Sequence, residues 1–174
     1  TERLVRAVWV SLGGRFTAAP GSVREAALPA NAQRIAQHSA RPWGEVLRHM
    51  NKASDNTQTR LLFLQLGVPA MAASPQATTL QLAQREVQRW FDEHRIEREG
   101  LVMDNGSGLS RSERIAPRTM ARAIEVAING RHAPELLMSL PLAGVDGTMR
   151  NRLKDTTAQG WARLKTGTLK NVTA

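Results

Sequence analysis

The spacing of apolar residues is the feature that most restricts the fold of this chain. Between residues 43 and 130 these residues recur at intervals of three and four, which indicates helices separated by short turns. One helix is predicted to begin after Thr78 or Thr79 as its cap, and another to begin at Pro117. The predicted helices are Trp43–Asn51, Thr57–Leu66, Thr79–His94 and a segment from Pro117 to about Gly130.

The apolar faces of these helices predict what each one buries. Thr57–Leu66 is apolar on most sides, which is typical of a helix buried between layers. The helix from Pro117 is expected to turn Met120, Ile124, Ala127 and Ile128 inward. Shorter helical segments are predicted at Leu4–Leu12, ended by Gly13-Gly14, at Pro134–Leu140 and at Met149–Lys154.

Strand signals are few. Leu101–Met103 is one candidate, and Trp161–Lys165 alternates apolar and polar residues. No partner strand follows the second, so we expect the chain to stop before the last strands of its domain. Residues 1–34, rich in Gly, Ala and Pro with a turn at Pro20-Gly21, are the edge of a different region.

Composition excludes some classes of function. The chain has 174 residues, enough for one domain with a core. Cysteine is absent, so disulfides, thiolate metal sites and a cysteine nucleophile are excluded. The net charge of +9 comes from arginines scattered along the chain, as on a solvated surface. No apolar run approaches the roughly 18 residues that span a membrane, and no signal peptide is visible.

Two tripeptides carry the strongest chemical signal: Ser54-Asp55-Asn56 and Lys165-Thr166-Gly167. Taken alone, the first is a good helix-capping sequence and the second a turn. Together, and in this order, they match two of the three motifs of serine enzymes that also contain Ser-x-x-Lys.

The residue types suit acyl transfer to a serine. Lys165 supplies a positive charge for a substrate carboxylate, and Thr166 and Thr168 offer hydroxyl donors beside it. Gly167 has no Cβ, so a ligand can lie against the backbone. Ser54 can pass on a proton, and the Asn56 amide can hold a lysine amine or a substrate amide; Asp55 has no role beyond capping the following helix.

Longer stretches around these motifs resemble the penicillin-binding protein 4 type of D-Ala-D-Ala carboxypeptidase, the serine peptidase family S13. The resemblance runs from about Ile35 to the end of the chain. It is carried by 50–56 (MNKASDN), 104–111 (DNGSGLSR), 140–148 (LPLAGVDGT) and 164–169 (LKTGTL).

The resemblance implies a function and roles for residues. Ser54 relays protons to the departing D-alanine, and Asn56 holds the general-base lysine and the substrate backbone. Lys165, Thr166 and Thr168 receive the terminal carboxylate, and the amide of Thr168 is half of the oxyanion hole. The implied activity is serine-type D-Ala-D-Ala carboxypeptidase or endopeptidase action on peptidoglycan stem peptides, with acylation by β-lactam antibiotics and without cofactor or metal. Ser107, in a turn near the cleft, is a further substrate-binding candidate.

The chain departs from the family pattern at the nucleophile. The residues three positions before its four lysines are His49, Asn151, Ala162 and Gly167, so no Ser-x-x-Lys is present. We therefore expect the 174 residues to be an inactive part of a larger enzyme, which a signal outside this chain exports to the periplasm.

The implied fold is α+β of the β-lactamase/transpeptidase type, an antiparallel sheet flanked by helices, here incomplete. Residues 1–34 would be the tail of an inserted accessory region, and 35–174 part of the transpeptidase-like domain.

Two other functions stay open. A class A β-lactamase would need a Glu-x-x-Leu-Asn segment after Ser54-Asp55-Asn56, and none is found. A non-catalytic basic domain could contact the cell wall or an anionic membrane, and nucleic acid is not expected as a partner. The four histidines, His38, His49, His94 and His132, lack metal-site spacing and are expected at the surface or at helix ends.

Overall fold

The computed structural model describes residues 2–16, 26–34, 37 and 39–171. The Pro20-Gly21 turn and His38 lie outside the described residues. The chain divides into two compact units, Thr1–Ser39 and Ala40–Ala174. The first contains helix α1, Glu2–Ser11, which ends before Gly13 in a left-handed conformation with φ of 83°. The prediction of a short helix closed by glycine is therefore confirmed.

The second unit is mainly helical. Its α-helices are α2 Trp43–Ala53, α3 Asn56–Gln65, α4 Thr79–Glu93, α5 Pro117–Ile128 and α6 Ala133–Ser139, with 3₁₀ turns at Val68–Ala70 and Gly147–Met149. α2 packs on α6, α3 on α4, and α5 on α6. None of the helices in the described residues is long and apolar enough to cross a membrane.

The helix ends confirm the predicted signals. Thr78 caps α4 in a capping box, in which its hydroxyl accepts from the backbone N–H of Gln81 while the Gln81 side chain accepts from the backbone N–H of Thr78. Pro117 is the first residue of α5, where its missing N–H has no intrahelical partner to lose. The predicted helix at Pro134–Leu140 also forms, beginning one residue earlier.

The predicted helix over Met149–Lys154 is wrong. Only the 3₁₀ turn Gly147–Met149 forms there. Leu153 and Asp155 then adopt left-handed conformations, with φ of 60° and 57°, which an α-helix cannot contain.

The core lies around the packed faces of α2 and α4 and the segment that follows α6. Its buried hydrophobic residues are Met50, Leu82, Ala83, Phe91, Ile96, Ala143 and Met149. Ser139 and Pro141 are also fully buried. Residues 139–149 are therefore anchored in the core at Ser139, Pro141, Ala143 and Met149, while Val145 between them is exposed.

Two predictions of burial are wrong. α3 has no fully buried residue and Leu61 is 61% exposed, because α3 packs against α4 and borders open clefts elsewhere. Of the four predicted inward residues of α5, Met120, Ile124 and Ile128 are more than 40% exposed, and only Ala127 is on the less exposed face. That face otherwise contains Thr119, Ala123 and Val126, at helical spacing.

Both strand candidates form single antiparallel bridges within the described residues. Val102 exchanges two backbone hydrogen bonds with Arg114. Arg163 pairs with Leu142 through flanking bonds, Ala143 N–H to the carbonyl of Ala162 and Leu164 N–H to that of Pro141. An extended antiparallel sheet, as predicted, is not present in this part of the chain.

Gly106 is a position where the fold requires glycine. Its φ is 70°, and a Cβ there would lie 2.5 Å from the ring of Phe63 in α3. We expect Gly106→Ala to lower the melting temperature of the full-length protein well beyond the effect of Gly100→Ala. Gly100 has nearly the same φ, 72°, but open space around it, so its variant isolates the backbone cost of roughly 1 kcal/mol. Equal melting temperatures for the two variants would contradict the contact with Phe63.

Candidate active site

Ser54 stands at the junction of α2 and α3 in an unusual backbone conformation. With φ of 54° and ψ of 50° it is left-handed and terminates α2. The N–H of Asp55 then donates to the carbonyl of Met50, and the Asp55 carboxylate accepts from the N–H of Gln58 to cap α3. The predicted capping role of Asp55 is confirmed. These bonds fix the backbone on either side of the Ser54 hydroxyl.

Lys165 meets Ser54 across 111 residues of sequence. Its ammonium Nζ donates to Ser54 Oγ at 2.8 Å and to the carbonyl of Thr166 at 2.9 Å. The two tripeptides that sequence analysis singled out are therefore in direct contact. Loss of hydration lowers the pKa of Lys165 below the ordinary range of a lysine.

The glycine-rich loop 104–108 forms the third side of the site. Glu113 holds this loop, because its carboxylate accepts from the N–H groups of Asp104 and Gly106. The Ser107 hydroxyl accepts from the N–H of Leu109. Gly108 approaches Asn56 so closely that a Cβ there would lie 3.8 Å from Asn56 Oδ1. Ser107 and Asn56 thus lie on neighbouring segments beside Ser54, and their substrate roles stay predictions.

A cleft of about 1140 Å³ opens between these elements. Lys165 and Gly106 line it together with an apolar wall that includes Phe63, Met103 and Met120. Arg111, Arg114 and Glu113 line the cleft as well, so it has three cationic groups and one acid beside the apolar wall, which suits a ligand with an anionic end and an apolar body.

Thr166, Gly167 and Thr168 continue from Lys165. Thr166 is half-buried, and its hydroxyl donates to Thr148 Oγ1 at 2.8 Å. Gly167 and Thr168 are exposed. Their predicted contacts with a carboxylate stay predictions.

An ion pair that sequence analysis missed ties the two motifs together. Lys52 Nζ bonds both oxygens of the Asp146 carboxylate, at 2.7 and 2.6 Å, and also the carbonyl of Leu140. Asp146 in turn accepts from the N–H of Leu142, the residue that pairs with Arg163. Lys52 precedes Ser54 by two residues. The ion pair therefore links the end of α2 to the segment around Leu142, which pairs with Arg163, two residues before Lys165. The available signal was the scarcity of lysine, since each of the four demands a reason.

Burial and pairing act in opposite directions on Asp146. Burial raises the pKa of the carboxyl, but the bond from Lys52, the bond from Leu142 and the charges of Lys52 and Arg48 outweigh it. The net result is a pKa below the ordinary value, so Asp146 is ionised at neutral pH.

Among the residues described, no group of three or more His, Asp or Glu side chains could hold a metal. His49, His94 and His132 are all exposed, and the ring of His94 contacts the carbonyl of Trp90 at the end of α4. The prediction of surface and helix-end positions is confirmed for these three.

The sequence model of one protein family matches almost the whole chain. The model described as the D-Ala-D-Ala carboxypeptidase 3 (S13) family matches residues 3–174. This chain belongs to family S13. The resemblance predicted from the motifs is thereby confirmed.

Individual relatives agree with the family match. The D-alanyl-D-alanine carboxypeptidase DacB of Haemophilus influenzae is 31% identical over 124 residues, 71% of this chain and 25% of that protein. The D-alanyl-D-alanine carboxypeptidase of Actinomadura sp. is 30% identical over 162 residues, covering 88% of this chain and 29% of that protein. This S13 chain thus spans under a third of the length of these two relatives.

Solved structures show the same fold. The crystal structure of penicillin binding protein 4 from Haemophilus influenzae, complexed with a β-lactam, superposes with a TM-score of 0.79 at 29% identity. The match covers 97% of this chain and 38% of that one. The S13 chain therefore superposes on part of a penicillin-binding fold.

The Lys52–Asp146 pair generates a prediction about stability. Because the folded pKa of Asp146 is depressed, its contribution is present above the unfolded value of about 4 and is lost as pH falls through the folded value. We expect Asp146→Asn to destabilise the full-length protein by about 1–3 kcal/mol at neutral pH. The difference from wild type should be smaller at about pH 3, because the stability that the depressed pKa contributes declines as pH falls below the unfolded value.

Thermal unfolding at the two pH values measures this effect. Asp155→Asn is the matched control, because Asp155 is exposed and keeps its left-handed backbone equally well as Asn. A difference between Asp146→Asn and wild type that stays constant with pH would show that the ion pair does not supply the stability.

Proposed function

We propose that the full-length protein is a serine-type D-Ala-D-Ala carboxypeptidase or endopeptidase that acts on peptidoglycan stem peptides through an acyl-enzyme and is acylated by β-lactams. The observation that carries the proposal is the hydrogen bond from Lys165 Nζ to Ser54 Oγ. It joins two motifs, remote in sequence, that each have a place in serine acyl transfer. Membership in family S13 supports the same activity.

The proposed reaction assigns one task to each group. A serine outside these 174 residues attacks the carbonyl carbon of the penultimate D-alanine, forming an ester as the peptide C–N bond breaks. The proton that the serine loses reaches the departing amine through Ser54, whose hydroxyl both accepts and donates. Water then hydrolyses the ester. Asn56 holds the general-base lysine, and the N–H of Thr168 is half of the oxyanion hole.

Lys165 and its neighbours receive the substrate's terminal carboxylate in this proposal. The ammonium of Lys165 lines the cleft, and Thr166 and Thr168 follow it directly in sequence. Gly167 lets the peptide lie against the backbone. Ser107, on the opposite loop, contacts the ligand body. Neither formation of the acyl-enzyme nor its hydrolysis requires a metal or a cofactor.

The fold and the setting complete the proposal. The extended segments around Val102 and Arg163 belong to an antiparallel sheet whose other strands come from the rest of the protein. Residues 35–174 are then part of the transpeptidase-like domain, and residues 1–34 the tail of an accessory region. The protein works in the periplasm, and its excess of arginine suits peripheral contact with cell wall or anionic membrane.

The alternatives have less support. The family match is to S13 rather than to class A β-lactamases. A non-catalytic basic domain does not account for a lysine of lowered pKa hydrogen-bonded to a serine beside a cleft.

Labelling with a fluorescent penicillin tests the proposal. We expect a stable covalent adduct with the full-length protein and none with the 174-residue chain, because the chain contains no Ser-x-x-Lys. An adduct on the short chain would place the nucleophile within it. No adduct on a folded full-length protein would overturn the enzyme assignment.

The charge of Lys165 generates a separate prediction. We expect Lys165→Ala to slow acylation by a penicillin on the order of 100-fold, since the carboxylate loses its cationic partner. The wild-type rate should fall on the alkaline side at a pH below about 10.4, because only the protonated amine attracts a carboxylate and its pKa is lowered.

Two further variants control this measurement. Lys165→Arg should lose the alkaline limb, because a guanidinium stays charged over the whole range. Lys170→Ala removes an exposed lysine five residues away and should leave the profile unchanged. An alkaline limb that persists in Lys165→Arg would assign it to another group.

A further inference from the structure

Thr148 contacts the proposed carboxylate site without belonging to either tripeptide. Its hydroxyl oxygen accepts a hydrogen bond from Thr166 Oγ1 at 2.8 Å, and both side chains are partly buried. Thr166 is the residue proposed to donate to the substrate's carboxylate. The hydroxyl of Thr166 therefore has two acceptors, the hydroxyl oxygen of Thr148 and the substrate's carboxylate.

The position of Thr148 is rigidly fixed. It is the middle residue of the 3₁₀ turn Gly147–Met149, and Met149 is buried. Gly147 approaches the backbone of Lys52 so closely that a Cβ would lie 2.8 Å from the Lys52 carbonyl oxygen. Asp146, one residue earlier, is paired with the Lys52 ammonium. Thr148 is thus anchored to the end of α2, only a few residues from Ser54.

The chemistry of hydroxyl groups determines what Thr148 can do. A threonine hydroxyl has one hydrogen to donate and can accept two bonds, whereas a carboxylate only accepts. While Thr166 donates to Thr148, it cannot donate to a ligand. If the bond between the two hydroxyls reverses, Thr148 donates to Thr166 Oγ1 and the hydrogen of Thr166 becomes available. A separation of 2.8 Å suits either direction.

We propose that Thr148 is a positioning residue that makes the site selective for ligands with a free terminal carboxylate. When the carboxylate binds, Thr148 donates to Thr166, and Thr166 donates to the carboxylate. Thr148 holds the Thr166 hydroxyl in place and strengthens it as a donor, because successive hydrogen bonds polarise one another. This inference rests on the proposed function, since it assumes that Thr166 meets the carboxylate.

Acylation of the full-length protein by a penicillin and by its methyl ester tests the role of Thr148. The ester keeps the reactive ring but lacks the anionic carboxylate. Thr148→Val preserves the shape of the side chain and removes the hydroxyl. We expect it to slow acylation by the acid about 5- to 10-fold, the effect of one hydrogen bond, and to change the ester's rate less than about 2-fold. Thr148→Ser should keep the wild-type preference.

A double-mutant cycle separates this role from a structural one. Thr166→Val alone should reduce the preference for the acid about 5- to 10-fold, because Lys165 still attracts the carboxylate, and adding Thr148→Val should then change nothing further. Equal slowing of acid and ester by Thr148→Val, or additive losses in the double variant, would overturn the inference.

The same measurements distinguish the two proposals. If wild type is acylated but Thr166→Val keeps the full wild-type preference for the acid, the role of Thr148 is overturned and the enzyme assignment stands. If folded wild type reacts with neither compound, both are overturned. Melting temperatures of the variants identify any loss caused by unfolding.

Discussion

The ion pair between Lys52 and Asp146 is the interaction on which the arrangement of the site depends. Its two partners are 94 residues apart, and their side chains are 17% and 33% exposed. Breaking a shielded pair leaves a charge with lost hydration and no partner, which costs more than the pair contributes by forming. Lys52 therefore ties α2 to the segment after α6 through the ionised Asp146, and its bond to the carbonyl of Leu140 adds to this attachment.

Everything near Ser54 and Lys165 follows from that attachment. The segment after α6 is buried at Pro141, Ala143 and Met149, so packing holds it in place at these residues. It pairs through its backbone with the chain just before Lys165, and Thr148 reaches Thr166. One partly buried ion pair, one backbone pairing and one hydroxyl contact thus fix the two motifs relative to each other.

Sequence alone predicted the parts of this molecule that are governed by local chemistry. A cap at Thr78 or Thr79, Pro117 as the first residue of α5 and the cap at Asp55 depend on neighbouring residues, and the structure confirms them, with Thr78 as the cap of α4. The two tripeptides indicated the site because their residue types are tied to a reaction. The Lys52–Asp146 pair escaped prediction because a pairing across 94 residues leaves no local pattern.

Burial was the harder prediction. Apolar residues on α3 and α5 were expected to face inward because large hydrophobic side chains usually do. In α5 the less exposed face consists of small residues, while Met120, Ile124 and Ile128 remain exposed. Helical periodicity locates a face, but which face is covered depends on neighbouring elements.

The left-handed backbone of Ser54 has a consequence for how this position tolerates change. A non-glycine residue in that conformation costs roughly 1–2 kcal/mol, and glycine would relieve the strain. Glycine, however, has no hydroxyl to meet Lys165. Stability and chemistry therefore favour different residues at position 54. A search for sturdier versions of this protein that scored folding alone would replace the serine, and would discard the hydroxyl that accepts the hydrogen bond from Lys165.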